Sequence, residues 1–538
     1  MELFIGIAGG LGLFLFGMNM MGTGLQKVAG SRLKRFVEIL TNNKIMGVIV
    51  GTIVTMLIQS SSATTVMVVG FVNAGIMNLM QAVGVIMGAN IGTTITGQLV
   101  AFKLDEIAPL VIGIGVLLWF ITSKKKHKEI AEVLIGFGIL FLGMGMMGDV
   151  LKSLKDSPIF RDMMLGLNNP VIGMGVGLAI TAILQSSSAS TGILIALANE
   201  GLITLDLAFP ILLGQNIGTC ITAMLSSIGA NKTAKQAAVV HLLFNVIGST
   251  LFLIIFLIPG IPMTEWIISL SPGEIGRQIA NGHTIFNVVN VIVMLPFAGI
   301  LVKIAERFKF GKTSNDEPGL KYLDARILET PSIAIVMAKK EVLRMGKIVN
   351  ENLKRSQEAY FERNEKKIAK VFEVERQIND LEHDISQYIS NLLNLPLSDE
   401  EHGIIKVLIN TITDMERVGD HADNIAEWAQ YAIDNNVKNS AKAMSELDMM
   451  FEKVRNIYSD SLSVYKTLDV YLAAKIIEKD KEIDKMEKLY RTRHIERLNA
   501  KECNTTAGIV FLDLISNLER IGDHATNISE SIIEIAES

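Results

Sequence analysis

Long apolar segments fill the N-terminal part of the chain, whereas charged residues recur throughout the C-terminal part. No Asp, Glu, Lys or Arg occurs from Ile45 to Phe102 or from Gln236 to Thr264. A helix of about 20 apolar residues is long enough to cross a bilayer. The pattern predicts seven spans, over residues 3–26, 79–99, 107–122, 130–151, 204–225, 235–258 and 283–302.

Two further apolar stretches, residues 45–75 and 171–199, are interrupted at their centres by polar residues. Each is long for one span and short for two, so we predict that each forms a re-entrant hairpin. Irregular backbone at membrane depth is tolerated only where it is buried in protein or lines a cavity. The polar residues at the two centres are Gln59, Ser60, Ser61 and Ser62 in the first stretch and Gln185, Ser186, Ser187 and Ser188 in the second.

These polar blocks belong to a repeat with a fixed offset of 126 residues. The three recurring blocks are Gln59–Ala63 with Gln185–Ala189, Gly88–Thr94 with Gly214–Cys220, and Gly17–Gly22 with Gly143–Gly148. A single offset without insertions predicts two structural repeats, over about residues 4–129 and 130–255. Duplicated and interrupted hydrophobic segments are typical of secondary transporters.

The distribution of positive charge predicts the topology. The loop after the first span carries five cations and one acid, whereas the loop after the fourth span carries three of each. By the positive-inside rule the first loop is cytoplasmic and the second external, with the N-terminus outside. Three spans and a hairpin in each repeat then make the second repeat inverted. The absence of a basic region before residue 3 predicts a retained span rather than a cleaved signal.

The Gln-Ser-Ser-Ser blocks have the chemistry of an ion path. A short helix that begins at mid-membrane directs unpaired N–H groups and the positive end of its dipole towards an anion. Hydroxyl, amide and free carbonyl oxygens also suit a hard cation such as sodium, and the Asn-Ile-Gly-Thr blocks add Asn90, Thr93, Asn216 and Thr219. The alternative is that these small polar residues only join helices. Two copies in register favour a transport site.

The polar blocks contain no Lys or Arg, so a bound multivalent anion has no fixed cationic partner there. A cation bound together with the anion can supply this charge. At ~4 Å and an effective dielectric constant of about 20, one such cation contributes roughly 4 kcal/mol. We therefore expect anion binding to depend steeply on sodium.

Over about residues 1–305, the paired blocks resemble the type II sodium–phosphate cotransporter family. The resemblance implies that the two hairpins meet and share phosphate through both Gln-Ser-Ser-Ser blocks, residues 59–62 and 185–188. It also implies sodium ligands at Gln185, Ser186, Ser188 and Thr219. Cys220 stands where the first repeat has Thr94, so its position is a doubtful ligand. His241 and His283 head two similar segments, and we expect them to form interhelical hydrogen bonds rather than to bind ions or carry protons.

A second repeat occurs in the charged part of the chain. Asp414–His421 returns as Asn517–His524. An upstream set also recurs, since Glu375, Asn379 and Glu382 match Asp480, Asp484 and Glu487. Spacings of four and seven put these acids on one face of a helix. We predict a polar linker over residues 309–330, followed by two three-helix bundles over roughly 331–436 and 439–538.

This segment resembles the PhoU family of phosphate-signalling proteins, whose acidic motifs bind metal clusters. The resemblance implies a metal site, and carboxylates favour hard metals. The predicted ligands are Glu416, Asp420, Glu519, Asp523, Asp480, Asp484 and Glu487. The alternative is a solvated acidic face with arginine pairs along each helix.

The sequence also excludes some functions. Cys220 and Cys503 lie in different halves, so we expect no structural disulfide. Neither a nucleophile–base arrangement nor a nucleotide-binding loop stands out, so we predict no enzyme activity, and nothing indicates binding to nucleic acid.

Together these observations predict an all-α, multi-pass protein of the bacterial plasma membrane, with a transport domain over residues 1–308 and a cytoplasmic PhoU-like domain. The predicted function is sodium-coupled phosphate import by alternating access. The alternatives are a phosphate exporter, a carrier of another oxyanion and a membrane phosphate sensor. A regulatory protein or a homo-oligomer stays open as a partner.

Overall fold

The computed structural model of the chain describes residues 2–38, 43–155, 157–158, 160, 164, 166–308, 310, 319–395 and 397–537. Nearly all of these residues are helical and none forms a strand, which confirms the predicted all-α fold. The N-terminal helices are α1 Glu2–Glu38, α2 Lys44–Ile58, α3 Ser61–Asn73, α4 Leu79–Val100, α5 Ala108–Ile121, α6 Lys125–Leu151, α7 Pro170–Leu184, α8 Ser187–Asn199, α9 Leu205–Ser226, α10 Lys232–Leu257, α11 Met263–Leu270, α12 Ile275–Met294 and α13 Ala298–Glu306. The C-terminal helices are α14 Pro331–Glu362, α15 Glu365–Leu393, α16 Asp399–Asp434, α17 Ala441–Thr467, α18 Val470–Asn499 and α19 Thr505–Glu537.

The chain divides into two compact units. The first contains α1–α13 together with Asp324–Ile333, and the second contains α14 from Ala334 onwards and α15–α19. Six helices of the first unit, or their continuations through a short 3₁₀ turn, are long and apolar enough to cross a bilayer: α1, α4, α6, α9, α10, and α12 with α13. We call the first the membrane unit and the second the bundle unit.

The predicted span at 107–122 corresponds to a short apolar helix. It is the 14-residue helix α5, which falls below the roughly 20 residues that a bilayer requires. The predicted hairpins are each a pair of short apolar helices, α2 with α3 and α7 with α8. The sequence therefore located the helix breaks correctly and placed α5 within one residue at each end.

Glycines bring helices together at equivalent places in the two repeats. In the first repeat a Cβ on Gly51 of α2 would clash with the carbonyl oxygen of Val85 on α4, and in the second a Cβ on Gly177 of α7 would clash with that of Ile211 on α9. The recurring Gly17 block has a related role, because a Cβ on Gly17 of α1 would lie 2.6 Å from the Gly136 carbonyl oxygen on α6. Only glycine permits such close approach of two backbones.

In the bundle unit, the apolar residues of six long amphipathic helices form the core. Tyr458, Phe451 and Phe511 are among its largest fully buried side chains. Local caps fix where helices begin: at the start of α16 the Ser398 hydroxyl accepts from the Glu401 N–H, and the Glu401 carboxylate accepts from the Ser398 N–H. The helix order agrees with two successive sets of three helices.

Candidate functional site

The break in each hairpin is a single left-handed glutamine. Gln59 follows α2 with φ 59° and ψ 20°, and Gln185 follows α7 with φ 53° and ψ 23°. Each glutamine N–H still donates to a carbonyl of its own helix, that of Thr55 or Thr181, over 2.7 Å. Residues other than glycine seldom adopt this left-handed backbone conformation, and residues strained in this way cluster at functional sites.

The first serine of each block is a helix cap. The Ser60 Oγ accepts from the Ala63 N–H over 3.1 Å, and the Ser186 Oγ accepts from the Ala189 N–H over 3.2 Å. Each serine has extended backbone, so α3 and α8 begin at the next residue. These two hydroxyl groups thus have a structural role, and their O–H donors stay available to a ligand.

Hydroxyl pairs, which the sequence analysis did not identify, join the two arms of each hairpin. The Thr55 Oγ1 donates to the Thr64 Oγ1 over 3.0 Å, and the Thr181 Oγ1 donates to the Ser190 Oγ over 2.9 Å. All four residues are buried. The offset of 126 that relates Thr55 to Thr181 was the available signal.

The structure brings the two hairpins together at their breaks. The Ser62 hydroxyl lies 3.5 Å from the backbone carbonyl oxygen of Gln185 and donates to it. Because Ser62 is at the start of α3 and Gln185 immediately precedes the cap of α8, the N-terminal ends of these helices approach one another. This geometry offers N–H and O–H donors as well as a carbonyl oxygen that no helix uses.

The side chains of the Asn-Ile-Gly-Thr blocks bond mainly within their own helices rather than to the breaks. The Ser61 hydroxyl donates to the Thr93 Oγ1 over 3.5 Å. The Asn90 and Asn216 amides instead donate to carbonyls in their own helices, and the Thr219 hydroxyl does the same. Among the described residues, no hydrogen bond joins Asn216 or Thr219 to residues 185–188. Cys220 is buried, and its thiol lies 3.5 Å from the His241 carbonyl oxygen.

The two glutamines differ in their surroundings. Gln59 is 6% exposed, and its side-chain oxygen accepts from the Thr96 hydroxyl over 2.9 Å. Gln185 is exposed, and the hydroxyl of Thr222, which corresponds to Thr96, has no partner among the described residues. The two breaks thus have equivalent backbones but differ in the exposure and in the side-chain partners of their glutamines.

The expectation of interhelical hydrogen bonds from the histidines is wrong for the described residues. Neither ring nitrogen of His241 has a partner, and the Nδ1 of His283 has none. The amides one turn later, those of Asn245 and Asn287, donate to the histidines' own carbonyls within the helix.

The acidic residues of the bundle unit form two groups at corresponding positions of the repeat, and the second has Asp484 where the first has Asn379. In the second group, one ligand atom from each of Asp480, Asp484 and Asp523 lies within 4.8 Å of the others. Burial, with repulsion from Asp523 and Asp484, raises the pKa of Asp480 to about 6. Glu519 completes this group, and burial followed by repulsion from Asp523 raises its pKa as well.

The first group contains Glu375 beside Glu416 and Asp420. Both carboxyl oxygens of Glu375 are buried without a hydrogen-bond partner among the described residues. Burial, with repulsion from Asp420, Asp423 and Glu416, raises the pKa of Glu375 to about 8. Unpaired buried carboxyl oxygens fit a hard cation, which would neutralise the like charges. The sequence showed that Glu375 corresponds to Asp480, but we did not predict it as a ligand.

Some of the predicted ligands pair with arginines of their own helix, as the alternative interpretation requires. Arg417 lies 3.3 Å from Asp420 and 3.7 Å from Glu416. The Arg491 guanidinium donates to Glu487 over 2.7 Å, so this predicted ligand already has a cationic partner. Glu487 is thus the least suited of the predicted ligands.

The recurring motif also joins α16 to α19 in a reciprocal way. The Nδ1 of His421 lies 2.9 Å from the Asn517 side-chain oxygen, and the Nδ1 of His524 lies 2.9 Å from an Asp414 carboxylate oxygen. Asp414 corresponds to Asn517, and His421 to His524. The histidine of each copy therefore contacts the first residue of the motif in the other copy.

The fold and the paired breaks define a multi-pass membrane protein of the transporter class with an attached helical bundle. Comparison with known sequences gives its family. The family described as Na+/Pi-cotransporter matches residues 13–149 and 143–265, and the PhoU domain matches residues 342–429 and 447–532. The chain belongs to the Na+/Pi-cotransporter family and carries PhoU domains in its C-terminal half.

Individual relatives agree with this assignment. YqeW of Bacillus subtilis, an uncharacterized protein, is 35% identical over 54% of this chain and 93% of its own. YjbB of Escherichia coli, described as a candidate inorganic phosphate export protein, is 26% identical over 97% of this chain and 96% of its own. The phosphate-specific transport system accessory protein PhoU homolog 1 of Thermotoga maritima is 29% identical over 37% of this chain and 86% of its own.

Proposed function

We propose that this chain is a sodium-coupled symporter of inorganic phosphate that works by alternating access. The observation that carries the proposal is the 3.5 Å contact between the Ser62 hydroxyl and the Gln185 carbonyl oxygen. At this contact the N-terminal ends of α3 and α8 approach each other, and helix N-termini favour anions. The proposed phosphate ligands are the two blocks at residues 59–62 and 185–188.

Sodium supplies the positive charge that the protein lacks at the breaks. Residues 45–75 and 171–199 contain no Lys or Arg. The proposed sodium ligands are the Gln185 carbonyl oxygen, the serine hydroxyls of its block and the oxygens of Asn216 and Thr219, with Asn90 and Thr93 in the first repeat. A cation ~4 Å from the anion contributes roughly 4 kcal/mol at an effective dielectric constant of about 20. Coupling follows, because each ion binds weakly without the other.

Import is the direction that an inward sodium gradient drives. Export is the second candidate, because YjbB, which resembles 97% of this chain, is described as a candidate phosphate export protein. In cells that express the chain, intracellular phosphate rises under import and falls under export. The same cells, tested with the sodium gradient reversed, distinguish a reversible symporter from an exporter that ignores sodium.

The bundle unit regulates transport in this proposal. It has no helix that meets the length and hydropathy of a span among its described residues. A metal held by the two acidic groups would stabilise it by removing repulsion between carboxylates. Transport by the membrane unit alone, with altered rate, would support this division of labour.

Radiolabelled phosphate uptake into proteoliposomes tests the proposed function. We expect uptake with external sodium and little uptake when choline replaces it. Ser61→Ala with Ser187→Ala should abolish uptake, whereas Ser269→Ala, which changes an exposed serine away from the breaks, should not. Equal uptake in sodium and choline would disprove sodium coupling. Competition by sulfate and arsenate then measures the preference for phosphate.

A further inference from the structure

The short segment that leads into α14 is docked on the membrane unit. Asp324–Ile333 belongs to that unit, and its 3₁₀ helix, Ala325–Glu329, packs against the C-terminal end of α3. Ile327 of this helix is fully buried. The sequence analysis predicted only a polar linker here, yet this part of it has a defined binding surface.

Arg326 fixes the segment to the end of α9. Its Nε donates to the Ser226 carbonyl oxygen over 2.5 Å, and its Nη2 donates to the Ile228 carbonyl oxygen over 3.1 Å. Carbonyl groups at a helix C-terminus lack partners within the helix, and the dipole there attracts a cation. The Asp324 carboxylate holds the Arg326 side chain in place, with 2.7 Å between Nη1 and Oδ2.

Asn73, the last residue of α3, joins three parts of the unit. Its amide nitrogen donates to Asp324 over 2.7 Å. Its side-chain oxygen accepts from the Asn231 N–H over 2.7 Å, and its carbonyl oxygen accepts from the Asn231 amide over 2.8 Å. The end of α3, the turn between α9 and α10, and the docked segment are therefore held together by one residue.

Gly70 leaves the space in which the segment lies. A Cβ at this position would be 3.1 Å from the Ile327 Cγ1 and 3.4 Å from the Arg326 Cβ. In the second repeat the corresponding residue is Ala196, and Asn199, which corresponds to Asn73, lies against Gly276 of α12. A helix of the membrane unit thus covers the end of α8, whereas the segment that leads to the bundle unit covers the end of α3.

We propose that Asp324–Glu329 is a latch on α3, and that the surface formed by Gly70, Asn73, Ser226 and Ile228 is its docking site. The 13 residues of α3 run from the break at Ser60 to this site, a length of about 20 Å. Docking ties α3 to the turn after α9 and resists the movement of its N-terminal end that transport requires. Because the latch continues directly into α14, the bundle unit controls its release. This inference rests on the proposed function.

Thiol labelling measures docking without relying on transport. In full-length protein with Cys503→Ser, in nanodiscs, we place the reporter Ile327→Cys and follow its reaction with a maleimide. Arg326→Ala should raise the labelling rate about tenfold, which corresponds to about 1.4 kcal/mol. Lys303→Ala removes an exposed cation of α13 and is the matched control. Equal labelling rates in these two variants would overturn the docking.

Phosphate flux in proteoliposomes then tests the latch itself. Arg326→Ala, without the reporter, should at least double the maximal rate, and Lys303→Ala should leave it unchanged. In the double variant Asn73→Cys with Asp324→Cys, a disulfide-length crosslinker should reduce the rate relative to the same variant before crosslinking. Reductant should restore that rate. Faster labelling with an unchanged rate would mean that the segment is only a connection. If the unaltered protein moves no phosphate, the proposed function and the latch's role in transport both fail, while the labelling contrast still reports docking.

Discussion

Replacing Glu375 by Gln should stabilise the metal-free bundle unit at pH 8 and remove much of the pH dependence of its free energy of unfolding. Burial first, and then repulsion from Asp420, Asp423 and Glu416, raise the pKa of Glu375 from 4.5 to about 8 in the folded protein. Between these values the folded state keeps a proton that the unfolded state releases. The free energy of unfolding therefore falls as the pH rises from about 4.5 to 8.

The size of the effect follows from the shift. A pKa difference of about 3.5 at 1.36 kcal/mol per unit gives about 5 kcal/mol as an upper limit. The amide of Glu375→Gln has a similar shape and no charge, so the variant loses this dependence. A bound divalent cation should have the same effect on the unaltered protein, because it neutralises the carboxylates together.

The pH dependence of the free energy of unfolding is measured by chemical denaturation of residues 334–537 at pH 5 and pH 8, after treatment with a chelator. This sample is reasonable because Ala334–Ser538 belongs to a compact unit separate from the membrane unit. Glu373→Gln is the matched control, since Glu373 is exposed and its bond to Lys370 lowers its pKa. The reasoning is refuted if the free energy of unfolding changes between pH 5 and pH 8 by the same amount in Glu375→Gln and in the unaltered unit. It is also refuted if neither Mg²⁺ nor Mn²⁺ stabilises the unaltered unit at pH 8.

Three further predictions concern the ligand sites. Ser61→Ala or Ser187→Ala should weaken apparent phosphate affinity in flux assays by ten- to a hundredfold, because a hydrogen bond to a charged group is worth roughly 1.5–3 kcal/mol; unchanged affinity in both would remove these serines from the site. Thr219→Ala should chiefly raise the sodium concentration needed for half-maximal flux, and an unchanged sodium dependence would contradict its assignment. Asp420→Asn with Asp523→Asn should lower the metal content of the bundle unit, measured by elemental analysis, and equal content in both proteins would leave only a solvated acidic face.

The repeat offset located the helix breaks because polar blocks in apolar surroundings are visible in a sequence. It could not show that each break rests on one left-handed glutamine, since Gln59 and Gln185 carry no mark of that conformation. The different exposure of these two residues could not be predicted from similar sequences either. Such a difference depends on which partners are near, as the contact of Gln59 with Thr96 illustrates.

Contacts between residues far apart in the chain also could not be predicted from the sequence. Arg326 and Asp324 look like ordinary linker charges, and only the fold reveals that their partners are helix-end carbonyls and Asn73. In the bundle unit, helical spacing predicted the acidic faces correctly, but the unpaired state of Glu375 depends on the helix packed over it. Periodicity shows which face a residue occupies but does not show what lies opposite.

The glycine contacts between α2 and α4, and between α7 and α9, limit the number of ways in which the membrane unit can change shape. A shift of one residue along either pair would put a Cβ where Gly51 or Gly177 now faces a carbonyl oxygen. We therefore expect each pair to keep its register if the membrane unit changes shape during transport. The left-handed backbone at Gln59 and Gln185, where α2 and α7 end, is then the place where we expect such a change to be absorbed.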